Sequence, residues 1–209
     1  MSETPEKLNG NAAIDAAAEQ AKHTSTKNIF DTADIADLKR TPHPADTANL
    51  RLGPNLHDGL LALLPLVGVW RGEGQAATDA GEFAFGQELV VAHNGENYLS
   101  FRSRTWKLDG EGKYAGPDTY ETGFWRIDEK DNIEVILTRA DGVVEIFYGE
   151  PYTERSWNLS SASTLVTETG PQALGPGKRM YGLMPNNNLG WVDERAEETR
   201  SAELTRVVG

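Results

Sequence analysis

Residues 98–106 read Tyr-Leu-Ser-Phe-Arg-Ser-Arg-Thr-Trp, and this stretch decides which folds the chain can adopt. Its alternation predicts a β-strand, but neither face of that strand is purely apolar. One face carries Arg102 and Arg104 between aromatic residues, whereas the other carries Leu99 and Phe101 with Ser and Thr. Mixed faces suit a closed barrel with a partly polar, ligand-sized lumen. A sandwich with amphipathic outer strands explains this stretch equally well.

Similar short runs, rich in β-branched and aromatic residues, continue to the C-terminus between clusters of turn residues. Turns such as His93-Asn94-Gly95 and Asp141-Gly142 favour antiparallel hairpins. About ten strands in one sheet protect their edges best by closing, which predicts an all-β up-and-down barrel. The candidate strands are Val67–Gln75, Glu82–Ala92, Tyr98–Lys107, Thr119–Ile127, Ile133–Arg139, Val143–Tyr148, Glu154–Leu159, Ser163–Thr169, Lys178–Leu183, Gly190–Ala196 and Thr199–Val208.

The composition excludes several classes of function. The 209 residues include no cysteine, so disulfides and thiolate metal sites are ruled out. Acidic residues outnumber basic ones 32 to 20, a net charge of −12 that disfavours nucleic acid and anionic membrane surfaces as partners. No secretory signal is readable at the N-terminus, which predicts a cytoplasmic protein. No catalytic residues and no metal ligands are assigned.

The chain divides near residue 57. Residues 1–57 contain a single Phe, Tyr or Trp, which is Phe30, and predict a flexible or weakly helical N-terminal extension. Residues 58–209 form the barrel domain, with a short helix-like segment, Asp58–Leu64, before the first strand.

The first strand contains the motif Gly68-Val69-Trp70-Arg71-Gly72-Glu73-Gly74. Glycines at alternate positions permit bending or a close approach of the backbone at a barrel corner, and Trp70 is placed to close one end of the barrel. The motif is not a dinucleotide-binding fingerprint, because the residues after it continue into a turn and another strand instead of a helix.

This motif resembles the opening of the nitrobindins, ten-stranded β-barrels that are similar in fold to fatty-acid-binding proteins and hold ferric haem. The resemblance covers residues 56–208 and implies an antiparallel barrel of the lipocalin and fatty-acid-binding-protein type, with a short helix before the first strand. The further matches are Phe83-x-Phe85-x-x-Glu88, His93-x-Gly95-x-x-Tyr98-Leu99-x-Phe101-x-Ser103-x-Thr105-Trp106, Glu121-Thr122-Gly123-Phe124-Trp125-Arg126 and Gly142-Val143-Val144-Glu145-Ile146-Phe147-Tyr148-Gly149.

The resemblance also implies an iron ligand, and here the chain departs from the family. The family's histidine lies in a segment resembling His-Leu-x-Ala-x-Leu, which matches residues 199–204 and places Thr199 where the ligand belongs. A hydroxyl is a poor iron donor, and His93 matches a turn position of its own. We therefore expect no cofactor and no isomerase activity of the family type. If this match is correct, restoring a histidine at residue 199 should restore haem uptake.

Arginines and methionines supply most of the candidate pocket. An arginine in the lumen suits a carboxylate ligand, or it pairs with a barrel glutamate such as Glu88, Glu121 or Glu145. The methionines are soft donors or core residues. Four acids among residues 193–198 repel haem propionates if they line the barrel mouth, or else face solvent. The candidate pocket residues are Thr78, Arg102, Arg104, Met180 and Met184.

Three functions are compatible with these features. The chain binds a small hydrophobic ligand other than haem, or it is a peroxynitrite isomerase that holds haem b through a non-standard ligand. The third alternative is an interaction domain whose barrel is filled by side chains, which a lumen with room for only a few waters would favour. A homodimer is compatible with the family, and the sequence leaves the oligomeric state open.

Overall fold

The computed structural model describes residues 45–171 and 174–209, which form a closed barrel of ten antiparallel strands. Each strand pairs with its neighbours in the sequence, and the last pairs with the first, so the predicted up-and-down barrel is confirmed. The strands are β1 (Gly68–Thr78), β2 (Gly81–Ala92), β3 (Leu99–Leu108), β4 (Tyr114–Ile127), β5 (Ile133–Arg139), β6 (Val143–Thr153), β7 (Ser156–Val166), β8 (Lys178–Leu183), β9 (Leu189–Glu194) and β10 (Glu198–Val208).

One prediction about the strands is wrong. The candidates Glu154–Leu159 and Ser163–Thr169 form a single strand, β7. The serines between them suggest a break, but Ser160 and Ser161 still pair with β6, and a local irregularity in the register keeps the strand continuous.

A 3-10 helix, Asp58–Leu66, closes the end of the barrel at which β1 begins. Its three buried leucines point into the core. The indole nitrogens of Trp70 and Trp157 donate hydrogen bonds to the carbonyl oxygens of Leu66 at 2.8 Å and Ala62 at 3.0 Å. These bonds tie the helix to strands on both sides of the barrel. We call this end the closed end and the opposite one the open end.

Arg206, on β10, holds the C-terminal end of this helix. Its guanidinium donates to the carbonyl oxygens of Pro65 and Val67, each at 2.7 Å, and lies 4.2 Å from the ring centre of Trp70. The fork of N–H groups therefore satisfies carbonyls that the short helix leaves unpaired.

The glycines of the first-strand motif allow β1 and β10 to approach closely. A Cβ atom added to Gly72 would lie 2.1 Å from the carbonyl oxygen of Glu203, and one added to Gly74 would lie 2.3 Å from that of Ser201. Any side chain at either position would force the two strands apart.

The inside of the barrel has two halves of different chemistry. The half next to the 3-10 helix is an apolar core whose largest buried side chains include Trp70, Trp157 and Phe147. The half next to the open end carries buried charged side chains. Among the described residues, no helix is long and apolar enough to span a bilayer.

Part of the predicted N-terminal extension lies against the barrel. Thr47 and His93 exchange two backbone hydrogen bonds, at 2.8 and 2.9 Å, and Ser100 donates to the carboxylate of Asp46. The extension before residue 45 is outside the described residues, so its predicted flexibility stays a prediction.

Candidate functional site

A buried arginine organises the polar half of the lumen. Arg179, on β8, donates two parallel hydrogen bonds to the carboxylate of Glu121 on β4, at 2.7 and 2.9 Å. Its Nε atom donates to Asp193 on β9 at 2.9 Å. The side chains of all three residues are at most 13% exposed, so the bidentate bridge lies across the lumen in a nearly dry setting.

Two more ion pairs extend this arrangement towards the open end. Arg195 donates to both carboxylate oxygens of Glu145 at 2.8 and 3.0 Å, and both side chains are almost completely buried. Arg200, at the start of β10, bonds to Asp118, which also accepts a hydrogen bond from Thr105 at 2.6 Å. We call the seven charged residues of these pairs the ion-pair plug: Glu121, Arg179, Asp193, Glu145, Arg195, Asp118 and Arg200.

The plug shifts the protonation of its members. Burial on its own raises the pKa of Glu121, but the hydrogen-bonded Arg179 guanidinium, helped by Arg139 and Arg195, lowers that pKa to about 2. Burial also raises the pKa of the neighbouring Tyr181 to about 12, although Arg179 opposes the shift. The carboxylate and the guanidinium are therefore both charged at neutral pH, and the tyrosine is neutral.

Little space is left in the lumen. The cavity among Arg179, Arg200, Gln87, Ser103 and Tyr181 measures about 30 Å³, which is room for about two water molecules. Pockets that hold drug-sized ligands measure about 300–1,000 Å³. The residues present therefore do not fit a haem in the lumen. The volume is too small, and polar groups that face it, such as Arg179, Glu121 and Gln87, are already hydrogen-bonded to neighbouring side chains.

Thr199, the position matched to the family's iron ligand, faces away from the lumen. Its side chain is exposed, and the residue pairs with Ala77 at the open end of the barrel. Its neighbour Arg200 has the inward position and belongs to the plug. His93 is buried at the closed end, so it does not approach residue 199. A histidine at residue 199 would accordingly face away from the lumen, and its effect on haem uptake stays a prediction.

Thr78 lies at the open end, close to Thr199 along the paired strands. Its hydroxyl accepts a hydrogen bond from the amide of Ala80 at 3.2 Å and donates to the carbonyl oxygen of Gly81 at 2.9 Å. The side chain therefore stabilises the β1–β2 turn.

The arginines expected in the lumen are on the outer wall. Arg102 and Arg104 are exposed, whereas Phe101, Ser103 and Thr105, which alternate with them, point inwards. The prediction that an arginine pairs with a barrel glutamate holds for other arginines, because Glu121 and Glu145 bind Arg179 and Arg195. The sequence does carry a signal for the inward position of Arg179. This arginine alternates along β8 with Tyr181 and Leu183, whose side chains also face inwards.

The four acidic residues among residues 193–198 differ in burial. Asp193 is buried in the plug, whereas Glu194 is exposed. Within the described part of the chain, no cluster of three or more histidine or carboxylate side chains is arranged to hold a metal ion.

The two candidate methionines lie outside the lumen as well. Met180 and Met184 are 49% and 37% exposed and line a groove of about 640 Å³ on the outer wall. This volume is within the range of small-molecule sites. The groove runs over β1, β10, β9 and β8, and its wall also includes Tyr152, Leu183 and Val192. We call it the wall groove.

Comparison with known proteins agrees with this barrel. Residues 59–207 match the family described as the THAP4-like, heme-binding beta-barrel domain, so the chain belongs to this family of haem-binding barrels. A ferric nitrobindin-like protein from Corynebacterium efficiens is 59% identical over all of this chain and 90% of the relative. Peroxynitrite isomerase 2 from Rhodococcus jostii is 44% identical over 96% of this chain and 98% of the relative.

A solved structure shows the same fold. The crystal structure of Rv2717c from M. tuberculosis superimposes with a TM-score of 0.62 at 25% identity, covering 73% of this chain and 99% of the other. The resemblance to the nitrobindins is thus confirmed at the level of the family.

Proposed function

We propose that this chain is a member of the nitrobindin family that does not hold haem iron and that binds a small apolar molecule on its outer wall. The observation that carries the proposal is the ion-pair plug, which leaves a cavity of about 30 Å³ in the lumen. Both the volume of the lumen and the lack of any histidine after His93 argue against ligation of the family type. Peroxynitrite isomerisation that depends on a haem in the barrel is accordingly not expected.

The filled lumen favours the alternative in which side chains occupy the barrel over any proposal of a ligand inside it. The wall groove, in contrast, offers apolar surface of a size that suits a small molecule. Binding on the outer wall keeps the expected apolar ligand and moves its site out of the barrel.

Addition of ferric haem tests the first part of the proposal. We expect only the broad Soret absorption of free haem, and no acceleration of the conversion of peroxynitrite to nitrate. Peroxynitrite isomerase 2 from Rhodococcus jostii, measured in parallel, is the positive comparator. A sharp Soret band that saturates at one haem per chain would overturn the proposal.

Two variants separate the causes of haem loss. Thr199→His should leave the spectrum unchanged, because the side chain at this position faces solvent and the plug stays in place. Arg200→His places an imidazole at the inward-facing position near the open end, and it removes the arginine that pairs with Asp118. A sharp Soret band with Thr199→His alone would show that the lumen opens more readily than its ion pairs indicate.

A further inference from the structure

A row of residues that face outwards crosses five adjacent strands at the wall groove. Strand pairing places Glu73 opposite Glu203, Glu203 opposite Gly190, and Gly190 opposite Gly182. The row ends at Ser156 on β7. Two carboxylates thus stand at one end of the row, and two glycines form its centre.

The backbone does not require these two glycines. A Cβ atom added to Gly190 would meet Met184 at 3.5 Å, and one added to Gly182 would meet Ser156 at 3.4 Å, both ordinary van der Waals distances. Neither glycine has a positive φ angle. The absence of side chains here leaves a notch in the outer wall, which Met180 and Met184 border.

The polar end of the groove is acidic. The side-chain amides of Asn186 and Asn188 both donate hydrogen bonds to the Oε1 atom of Glu203, with N–O distances of 3.0 and 2.6 Å. The groove has no lysine or arginine among its lining residues. Arg155, in the turn between β6 and β7, donates hydrogen bonds to the backbone oxygen of Met184 and to the side-chain oxygen of Asn187. Like charges directly opposite each other on a sheet are destabilising, so a cation between Glu73 and Glu203 would be favoured.

We infer that the wall groove binds an amphipathic cation, whose apolar body lies in the glycine notch and whose ammonium head lies at Glu73 and Glu203. This inference rests on the proposed binding of an apolar molecule outside the lumen, and it specifies that this molecule carries a positive charge. The flexible, polarisable side chains of Met180 and Met184 can pack against an alkyl chain without a fixed shape. The carboxylates select the charge of the head group.

Methyl resonances of methionine report on the site directly. The sequence contains three methionines, of which Met180 and Met184 border the notch. In the full chain labelled with ¹³C at the methionine methyl groups, dodecyltrimethylammonium below its micelle concentration should shift both signals saturably. Dodecanoate, which has an alkyl chain of similar length and the opposite charge, should bind at least fivefold more weakly.

Two variants test the site, and a third is their control. Gly190→Val fills the notch and should weaken binding of dodecyltrimethylammonium at least tenfold, whereas Gly110→Val, where an added Cβ meets no atom within 4 Å, should leave it unchanged. Glu73→Gln should weaken binding of the cation by roughly two- to fivefold, as expected for an exposed ion pair, and should strengthen binding of dodecanoate, because one carboxylate that repels its head group is gone. Thermal unfolding checks that each variant is folded.

The possible results distinguish the inference from the proposal beneath it. Equal binding of dodecanoate and dodecyltrimethylammonium in the notch would overturn the choice of a cation and preserve the binding of an apolar molecule. If neither probe moves the methionine signals, both fail. Signals that shift with protein concentration and without a probe would assign the groove to contact between two copies, which also overturns the inference.

Discussion

At the scale of single residues, Arg179 holds together the polar half of the lumen. It bonds to two carboxylates on different strands, and its guanidinium lies 5.2 Å from the ring centre of Phe147. Burial of an ion pair costs several kcal/mol of desolvation per ion, which its partners must offset. Arg179 is therefore stable in this buried position only while both carboxylates are present. Through these bonds it links β4, β8 and β9.

Replacement of Arg179 tests this role. In Arg179→Met, Glu121 and Asp193 lose their shared cation inside the barrel, and we expect the free energy of unfolding to fall by about 3–5 kcal/mol. Urea denaturation measures the change. Lys113→Met, which breaks an exposed ion pair with Glu111, is the control and should have little effect. A loss as small as that of the control would show that the plug is not a determinant of stability.

At the scale of elements, the sequence predicts the strands better than it predicts what faces the lumen. Turn residues and alternating apolar residues place β5 and β8 at their observed bounds. The sequence predicts the inward face of β3 less well, because Arg102 and Ser103 lie on opposite faces and both faces are mixed. The plug itself joins residues far apart in the chain, such as Glu121 and Arg179, and no local pattern encodes that pairing.

The C-terminal end of the 3-10 helix depends on a side chain from β10. Arg206→Lys keeps the charge but loses the fork that binds Pro65 and Val67. We expect a loss of about 1–3 kcal/mol in the free energy of unfolding. Hydrogen exchange at the amides of Leu60 and Val67, which bond within this segment, should accelerate more than exchange in the strands.

Arg126→Lys is the matched control for this substitution, because Arg126 pairs with Glu134 on the outer wall at 3.4 Å. It should leave exchange at the closed end unchanged. Equal acceleration of exchange in the helix and the strands by Arg206→Lys would mean that this residue stabilises the whole barrel and does not act locally.

At the scale of the whole molecule, the plug couples the stability of the barrel to acid. The pKa of Glu121 is about 2 in the folded chain, below its ordinary value of 4.5. Between these values the unfolded chain binds more protons than the folded one, so folding stability rises with pH. The stabilisation is complete above pH 4.5 and is lost as the pH falls towards 2.

Glu121→Gln tests this coupling, because a neutral amide cannot take up the proton. The variant should be less stable than the original chain at pH 7, and the difference in the free energy of unfolding should shrink as the pH falls from about 4.5 to about 2. Urea denaturation at a series of pH values measures it. Glu88→Gln, which removes a carboxylate that pairs with Arg71 on the outer wall, is the control. A constant difference between Glu121→Gln and the original chain across this range would show that acid stability arises elsewhere, since only a carboxylate that titrates within the window can change the slope.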